Sequence, residues 1–391
     1  MSTSSYLIAG CRTPIGKLLG GLSLLPAPRL GAVAVGEAVR RSGLPLDAVE
    51  EVIMGNVLSA GVGQAPARQA AIFAGLPDTI AALTINKMCG SGLKAVMLAD
   101  QAIRAGDAQV IVAGGMESMS RAPFLLSGAR QGWKFGDQPV RDSMLHDGLW
   151  CAFEDMAMGA EADYIAETRG VSRADQDAFA AESHRRAVAR SGSSLAEIVP
   201  VSVPGGKTET IVSQDEGPRP DNTAQGLARL WPAFGKTGTV TAGNASQISD
   251  GAAAVVVVSE KVAHASRAPL KARIVACATS GVAPKEIFIA PVTAVQKVLA
   301  KAGMSLADID LIELNEAFAA QCLACMRPLE ADPAKTNIHG GAIALGHPIG
   351  ASGARVLVTL LYALAERGLK RGLASLCLGG GNAVAMIIER Q

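Results

Sequence analysis

The chain repeats itself, and that repeat constrains the fold more than any other feature. AVRRSGLPLDAVEEVIMGN, from Ala38 to Asn56, aligns without gaps on VLAKAGMSLADIDLIELNE, from Val298 to Glu316. Gly43 falls on Gly303, Leu46 on Leu306, Val49 on Ile309 and Val52 on Ile312. Each copy reads as a helix end, a glycine cap, a short loop and a buried strand. The order of elements goes on matching downstream. The first half has CGSGLKAV from Cys89, a helical pattern, then VIVAGGMES from Val110; the second has HPIGASGARVLV from His347, a helical pattern, then ASLCLGGGNA from Ala374. In both, a Gly/Ser-rich turn opens a helix and a short apolar strand ends in glycines. The expectation is an α/β protein built of two similar halves.

Between the halves the texture changes. Residues 120–242 hold most of the Trp and Phe, many charges, and the Pro/Gly-rich stretches VPGGK (203–207) and DEGPRP (215–220). The pattern there predicts one clear helix, Ser172 to Arg190, with Ser172 as its N-cap ahead of an acidic first turn. The segment reads as an insertion on a layered core, a natural place for a substrate-binding lid.

A chain of 391 residues, 49% apolar and 18% charged, can bury two or three packed units. Its 36 basic and 35 acidic residues are interspersed, with none of the basic stripe that nucleic acid requires. The longest apolar run, Ala252–Val258, is strand-length, so no membrane span is expected. The opening MSTSSYLIAGCRTP has no basic stretch before its short apolar run, and seven scattered cysteines do not suggest a disulfide framework. The expectation is a cytoplasmic protein with reduced thiols.

Cys89 is the leading candidate for chemistry. It directly precedes a helical pattern (Leu93, Val96, Met97, Ile103), where the helix dipole and free N–H groups are expected to stabilise a thiolate. A small core cysteine is the plain alternative. His347 lies among glycines in the matching turn of the second half, with Pro348 fixing the chain after it. Cys and His on equivalent turns would converge near a shared axis, as activation of a thiol requires. Cys377, at the end of a strand before three glycines, can exchange protons, and the glycine amides there can face an oxyanion. Asn315 interrupts an apolar run at a strand-to-helix junction, where it reads equally as a helix cap. Cys322 and Cys325 form C-x-x-C inside a helical pattern with no second pair and no nearby His, so no metal site is expected.

Together CRTPIGK (11–17), NKMCGSGLKAV, AGGMESMS, TVTAGNAS, NEAFAAQ, GGAIALGHPIGASGAR and LCLGGG resemble the thiolase family over nearly the whole chain. The resemblance implies a five-layered αβαβα fold. Residues 1–119 with 243–268 would form the N-terminal half, 120–242 an inserted loop domain, and 269–391 the C-terminal half. It implies reversible Claisen condensation of acetyl-CoA, or thiolysis of a 3-ketoacyl-CoA, with coenzyme A and acyl-CoA as substrates and no permanently bound cofactor. A homodimer or homotetramer is implied as well. Position by position, Cys89 would be the acylated nucleophile, His347 its base, and Cys377 the second acid–base group. Asn315 would hold a water that forms one oxyanion hole with His347, and the amides of Cys89 and Gly379 would form the other. Arg219, Phe234, Ala242 and Ser246 would line the CoA and acyl pocket.

The chain departs from the family pattern at Ala157, where many acetoacetyl-CoA-type members carry histidine, and at KEIFIAP (285–291) and Ala383. None of these is one of the four catalytic positions. Two other readings compete. A decarboxylating 3-ketoacyl synthase would place a second His or an Asn where Cys377 stands, and a non-catalytic acyl-CoA-binding protein would not need the intact Cys89, Asn315, His347 and Cys377 set.

Overall fold

The structure, a computed structural model, describes residues 4–191, 195–205 and 208–391. The first three residues of the N-terminal segment and Gly206–Lys207 of VPGGK lie outside the described residues. The frame is one mixed sheet of nine long strands. They are β1 (Ser5–Arg12), β2 (Glu51–Gly55), β3 (Ala81–Ile85), β4 (Val110–Ser118), β5 (Ser249–Ser259), β6 (Ala272–Gly281), β7 (Leu311–Leu314), β8 (Arg371–Leu378) and β9 (Asn382–Arg390). The spatial order is β7-β8-β9-β6-β1-β5-β4-β2-β3, and a two-residue strand at Gly16–Lys17 adds to β5. The β1–β6 contact is a short seam of two residue pairs, Tyr6 with Arg273 and Leu7 with Ala272. Outward from that seam the two sides run β1, β5, β4, β2, β3 and β6, β9, β8, β7, so each strand of the second half has a counterpart in the first, which adds β3 at its edge.

Two helices fill the space between the two wings of the sheet: α3 (Ser91–Ala105) and α8 (Ser352–Glu366). Outside lie α1 (Ala27–Ser42) and α2 (Pro66–Phe73) on one wing and α6 (Ala290–Ala302) on the other. These are the five layers expected from the resemblance. The run Ala252–Val258 of β5 shows why: Ala253, Val255 and Val257 pack with α3 and α8, while Ala254, Val256 and Val258 pack with α1 and α2. A strand covered on both faces needs no polar alternation. The repeat is realised residue by residue. α1 and α6 both end on a left-handed glycine, Gly43 at φ +72° and Gly303 at φ +65°, where any side chain would be strained. Each then leads through a short 3-10 turn into the buried strands β2 and β7.

Among the described residues the segment between β4 and β5 contributes no strand to the main sheet, only a parallel bridge from Ile198 to Arg12 at the end of β1. It folds as three small two-stranded hairpins with α4 (Met158–Thr168) and α5 (Arg173–Ser191). Ser172 caps α5 as expected, accepting the Asp175 N–H at 3.1 Å while its own N–H reaches the Asp175 carboxylate. α7 (Ala319–Leu329) completes the second half, with Cys322 and Cys325 on its buried side. No helix among the described residues is long and apolar enough to cross a membrane.

Candidate active site

The two matching turns meet because their helices touch backbone to backbone. A Cβ on Gly92 would lie 2.6 Å from the Ala354 nitrogen, and one on Gly353 would lie 2.3 Å from the Leu93 nitrogen. These glycines follow Ser91 and Ser352 at equivalent places in α3 and α8. The Ser-Gly pair in each half is therefore what lets the first turns of both helices approach, carrying Cys89 and His347 with them.

They open on one cavity of about 530 Å³. Its wall includes Cys89, His347, Cys377 and Gly379, together with the predicted Arg219, Phe234, Ala242 and Ser246. Asn315 is not on that wall; it is buried behind it at the end of β7. Nor is it a helix cap, since α7 begins only at Ala319 with Phe318 in the capping position. Its amide hydrogen instead goes to the Ser375 carbonyl, and its side-chain oxygen accepts from Arg355 at 3.4 Å. The side-chain nitrogen of Asn315 is buried with no hydrogen-bond partner.

His347 is buried, and its protonation pattern follows from its neighbours. The Ser352 hydroxyl donates its one proton to the Pro348 carbonyl at 2.9 Å, so at 2.6 Å it can only accept from His347 Nδ1–H. The other ring nitrogen, Nε2, then carries a lone pair; it is buried and unpartnered. Burial, helped by the Arg355 charge, lowers the ring to about pKa 3, so it rests neutral and able to accept a proton.

Cys89 departs from the sequence expectation. Its amide and that of Gly379 favour a thiolate, as a helix start should, but burial outweighs them and pushes the thiol up to about 12. Local sequence shows the donors but not the surrounding protein. The cavity wall thus carries a protonated thiol beside a neutral imidazole. Cys89 stays half-exposed toward the cavity, and Met88 before it holds a left-handed backbone at φ +49°, which is strained for a non-glycine residue. Cys377 is 2% exposed, and burial together with the nearby Cys89 drives its thiol well above the ordinary value.

Much of the rest of the wall is apolar, with Lys17 and Gln247 among its polar members. Phe234 meets Phe318 edge-on with ring centroids 6.4 Å apart, and Phe318 meets Phe288 at 5.2 Å. Phe288 and Ile287 belong to the divergent KEIFIAP segment, and Ala157 also lines the cavity. Sequence reasoning misses several contributors. Ser352 orients His347, and Arg355 orients Asn315. His184 accepts the Arg219 N–H at 3.1 Å, its ring held near pKa 4 by burial. Only Ser352 carries a signal, its match to Ser91. The C-x-x-C thiols donate to backbone carbonyls, Cys325 to Phe288 at 3.0 Å and Cys322 to Asn315 at 3.6 Å.

A duplicated five-layer α/β fold with two thiols and an imidazole at its pseudo-axis defines a class of protein, and comparison with known proteins gives that class its family. Residues 5–261 match the thiolase N-terminal domain and residues 268–390 the thiolase C-terminal domain. The chain belongs to the thiolase family. It is 53% identical over 387 residues to the acetyl-CoA acetyltransferase of Pseudomonas aeruginosa, covering 98% of both chains. It is 49% identical over 391 residues to a probable acetyl-CoA acyltransferase of Staphylococcus aureus, covering 99% of each. The crystal structure of the Bacillus anthracis acetyl-CoA acetyltransferase superimposes with a TM-score of 0.97 at 41% identity, over 100% of this chain and 99% of that one.

Proposed function

We propose that this chain is an acetyl-CoA C-acetyltransferase. It condenses two acetyl-CoA molecules, or cleaves a 3-ketoacyl-CoA with coenzyme A, through an acyl group held on Cys89. The observation that carries this reading is the meeting of Cys89, Cys377 and the free Nε2 of His347 at one apolar cavity, with the Cys89 and Gly379 amides directed at the Cys89 sulfur. The full-length similarity to proteins named acetyl-CoA acetyltransferase supports the choice of acyl group.

In the cleavage direction the Cys89 proton passes to His347 Nε2 as the sulfur attacks the 3-keto carbon. The Cys89 and Gly379 amides hold the oxyanion on the 3-keto oxygen, while His347 and the water held by Asn315 face the thioester oxygen on which the enolate develops. As the carbon–carbon bond breaks, Cys377 gives its proton to the departing acetyl-CoA enolate. Its high resting pKa keeps that proton in place until the enolate appears. Coenzyme A then loses its thiol proton to the Cys377 thiolate and attacks the acyl-Cys89 thioester. The Cys89 and Gly379 amides hold this second oxyanion. Cys89 leaves as thiolate and recovers its proton from His347, which balances the cycle. Condensation is the reverse.

Arg219, Phe234, Ala242 and Ser246 bind the CoA and acyl moieties, and residues 120–242 act as a loop domain between halves formed by 1–119 with 243–268 and by 269–391. The enzyme works in the cytoplasm as a homodimer or homotetramer, with acyl-CoA as substrate and no permanently bound cofactor. All seven cysteines are unpaired, as a reducing compartment requires. Cys89→Ala tests the reading: it should abolish acyl labelling by [14C]acetyl-CoA and lower turnover by about 10⁴-fold or more. Retained turnover in a purified variant would overturn the mechanism. A kcat/KM series over 3-ketoacyl-CoA chain length would define the acyl group.

A further inference from the structure

The turn that carries His347 is fastened at both ends by buried carboxylates that have no part in the chemistry above. At its far end Glu316 accepts from the Ile343 N–H at 3.2 Å, the Ser183 hydroxyl at 2.7 Å and the Asn337 amide at 3.0 Å. At its near end stands Glu117, from β4 of the other half. One oxygen of Glu117 accepts from Asn56 Nδ2 at 2.7 Å and Leu58 N–H at 3.2 Å. The other accepts from Val57 N–H at 3.0 Å and Gly350 N–H at 2.9 Å. All four neighbours donate and none accepts, so the site is built for an ionised carboxylate. Burial pushes the acid up to about 7 even while three backbone amides draw it down. A neutral amide would satisfy the packing at less electrostatic cost but would turn N–H groups toward N–H donors.

The four donors come from both sides of the site. Gly350 follows His347 by three residues. Val57 and Leu58 belong to a cluster with Met119 and Ile349, on which Met88 and Cys89 pack. The turn has little room to move otherwise. A Cβ on Gly115 would lie 2.0 Å from the Gly350 carbonyl oxygen, and one on Gly55 would lie 2.8 Å from it.

We propose that Glu117 is a positioning residue: by holding the Gly350 amide of one half and the Val57–Leu58 amides of the other, it sets the His347 imidazole against the Cys89 thiol. This rests on the roles given above to Cys89 and His347.

The test is a double-mutant cycle of Glu117→Gln and His347→Ala, with Glu117→Asp alongside. The readouts are kcat and KM for thiolysis of acetoacetyl-CoA and the rate of Cys89 alkylation by iodoacetamide. Glu117→Gln should lower kcat by about 10- to 100-fold, shift KM by less than about threefold, and slow alkylation in proportion. In the His347→Ala background it should change either rate by less than about twofold, because the ring it positions is gone. Glu117→Asp, which keeps the charge, should recover part of the loss. Should Glu117→Gln fail to fold, the same cycle run with Glu117→Asp decides the matter. Equal slowing by the Glu117 substitution with and without His347, or a raised KM at unchanged kcat, overturns the proposal. If His347→Ala alone keeps full kcat, the base assignment fails first and this proposal falls with it, an outcome distinguishable from the others by the single variant.

Discussion

The Cys89 turn and the His347 turn occupy equivalent places in the two halves, yet they are built to opposite ends. The Cys89 turn is open: Asn86 is exposed and Lys87, Met88 and Cys89 are half-buried. The His347 turn is closed, with every residue from Gly340 to Leu364 buried. In both turns a serine in the first helical residue ties the chain back on itself. Ser91 accepts the Lys87 N–H at 2.8 Å and donates to the Met88 carbonyl at 2.6 Å. Ser352 gives its proton to Pro348 and spends its lone pair on the His347 ring instead. The proposed roles fit this contrast: a nucleophile has to be reached by a large substrate, and the Cys89 turn faces the cavity and bears a strained residue. A base has only to be correctly aimed and uncharged, and burial supplies both conditions. Duplication provided two copies of a helix-start turn, and the environments separated their roles.

The largest expected break in this comparison lies with Cys377, whose counterpart strand in the first half, β4, carries no thiol. Cys377→Ser should reduce condensation and thiolysis by about 10³-fold while acyl transfer to Cys89 survives at a reduced rate, because coenzyme A can depart as a thiolate without the proton Cys377 gives it, whereas the carbon acid needs that group. Mass spectrometry of enzyme incubated with acetyl-CoA would show the acetylated peptide around Cys89. Loss of that labelling would mean that coenzyme A cannot depart without the Cys377 proton, and the two thiols would not be separable in function.

Next in size is the cost of disturbing each turn. Gly115→Ala would drive a methyl group to 2.0 Å from the Gly350 oxygen, where backbone meets backbone and neither can yield cheaply. Gly90→Ala, beside Cys89, would press on Leu378 and Val384 side chains at 2.4 to 3.0 Å, which can shift rotamer. Chemical denaturation should show Gly115→Ala destabilised by about 3 kcal/mol or more and Gly90→Ala by about half as much. Equal losses would mean that the closed turn is no more rigidly supported than the open one.

The repeat makes the paired halves legible in the amino-acid order alone, because glycine caps and strand patterns are local. Gly43 and Gly303 stand where the alignment places them. Cys89, His347 and Cys377 are legible as members of one site because each sits beside glycines at an element's end. What cannot be read is anything that depends on a partner from the other half. Glu117 is one letter within VIVAGGMES, and nothing local announces that it accepts an amide from Gly350. The Cys89 thiol illustrates the same limit with an opposite sign. The helix-start donors, visible in sequence, pull its pKa down, but the surrounding protein, invisible there, pushes harder the other way. Asn315 reads in sequence as either a cap or a site residue, and only the presence of Phe318 in the capping position removes the first of these.

A pH dependence of comparable size belongs to the closed turn alone. His347 is neutral in the folded protein down to about pH 3, whereas an unfolded histidine binds a proton below about 6.5. Its folded pKa is thus depressed. As pH falls from 7 toward 5 the unfolded chain gains a proton that the native site refuses, and stability drops. From this ring alone the loss should reach about 2 kcal/mol at pH 5 and continue to grow until the pH nears 3. Other acid-titrating groups are common to wild type and variant, so the comparison to make is with His347→Asn. Urea denaturation of both proteins at pH 7 and pH 5 should show wild type losing about 2 kcal/mol more than the variant. Parallel losses would show that the ring takes up protons in the native state, through water reaching Nε2. The His347 turn would then be no more closed than its Cys89 counterpart, and the contrast between the two halves would rest on substrate access alone.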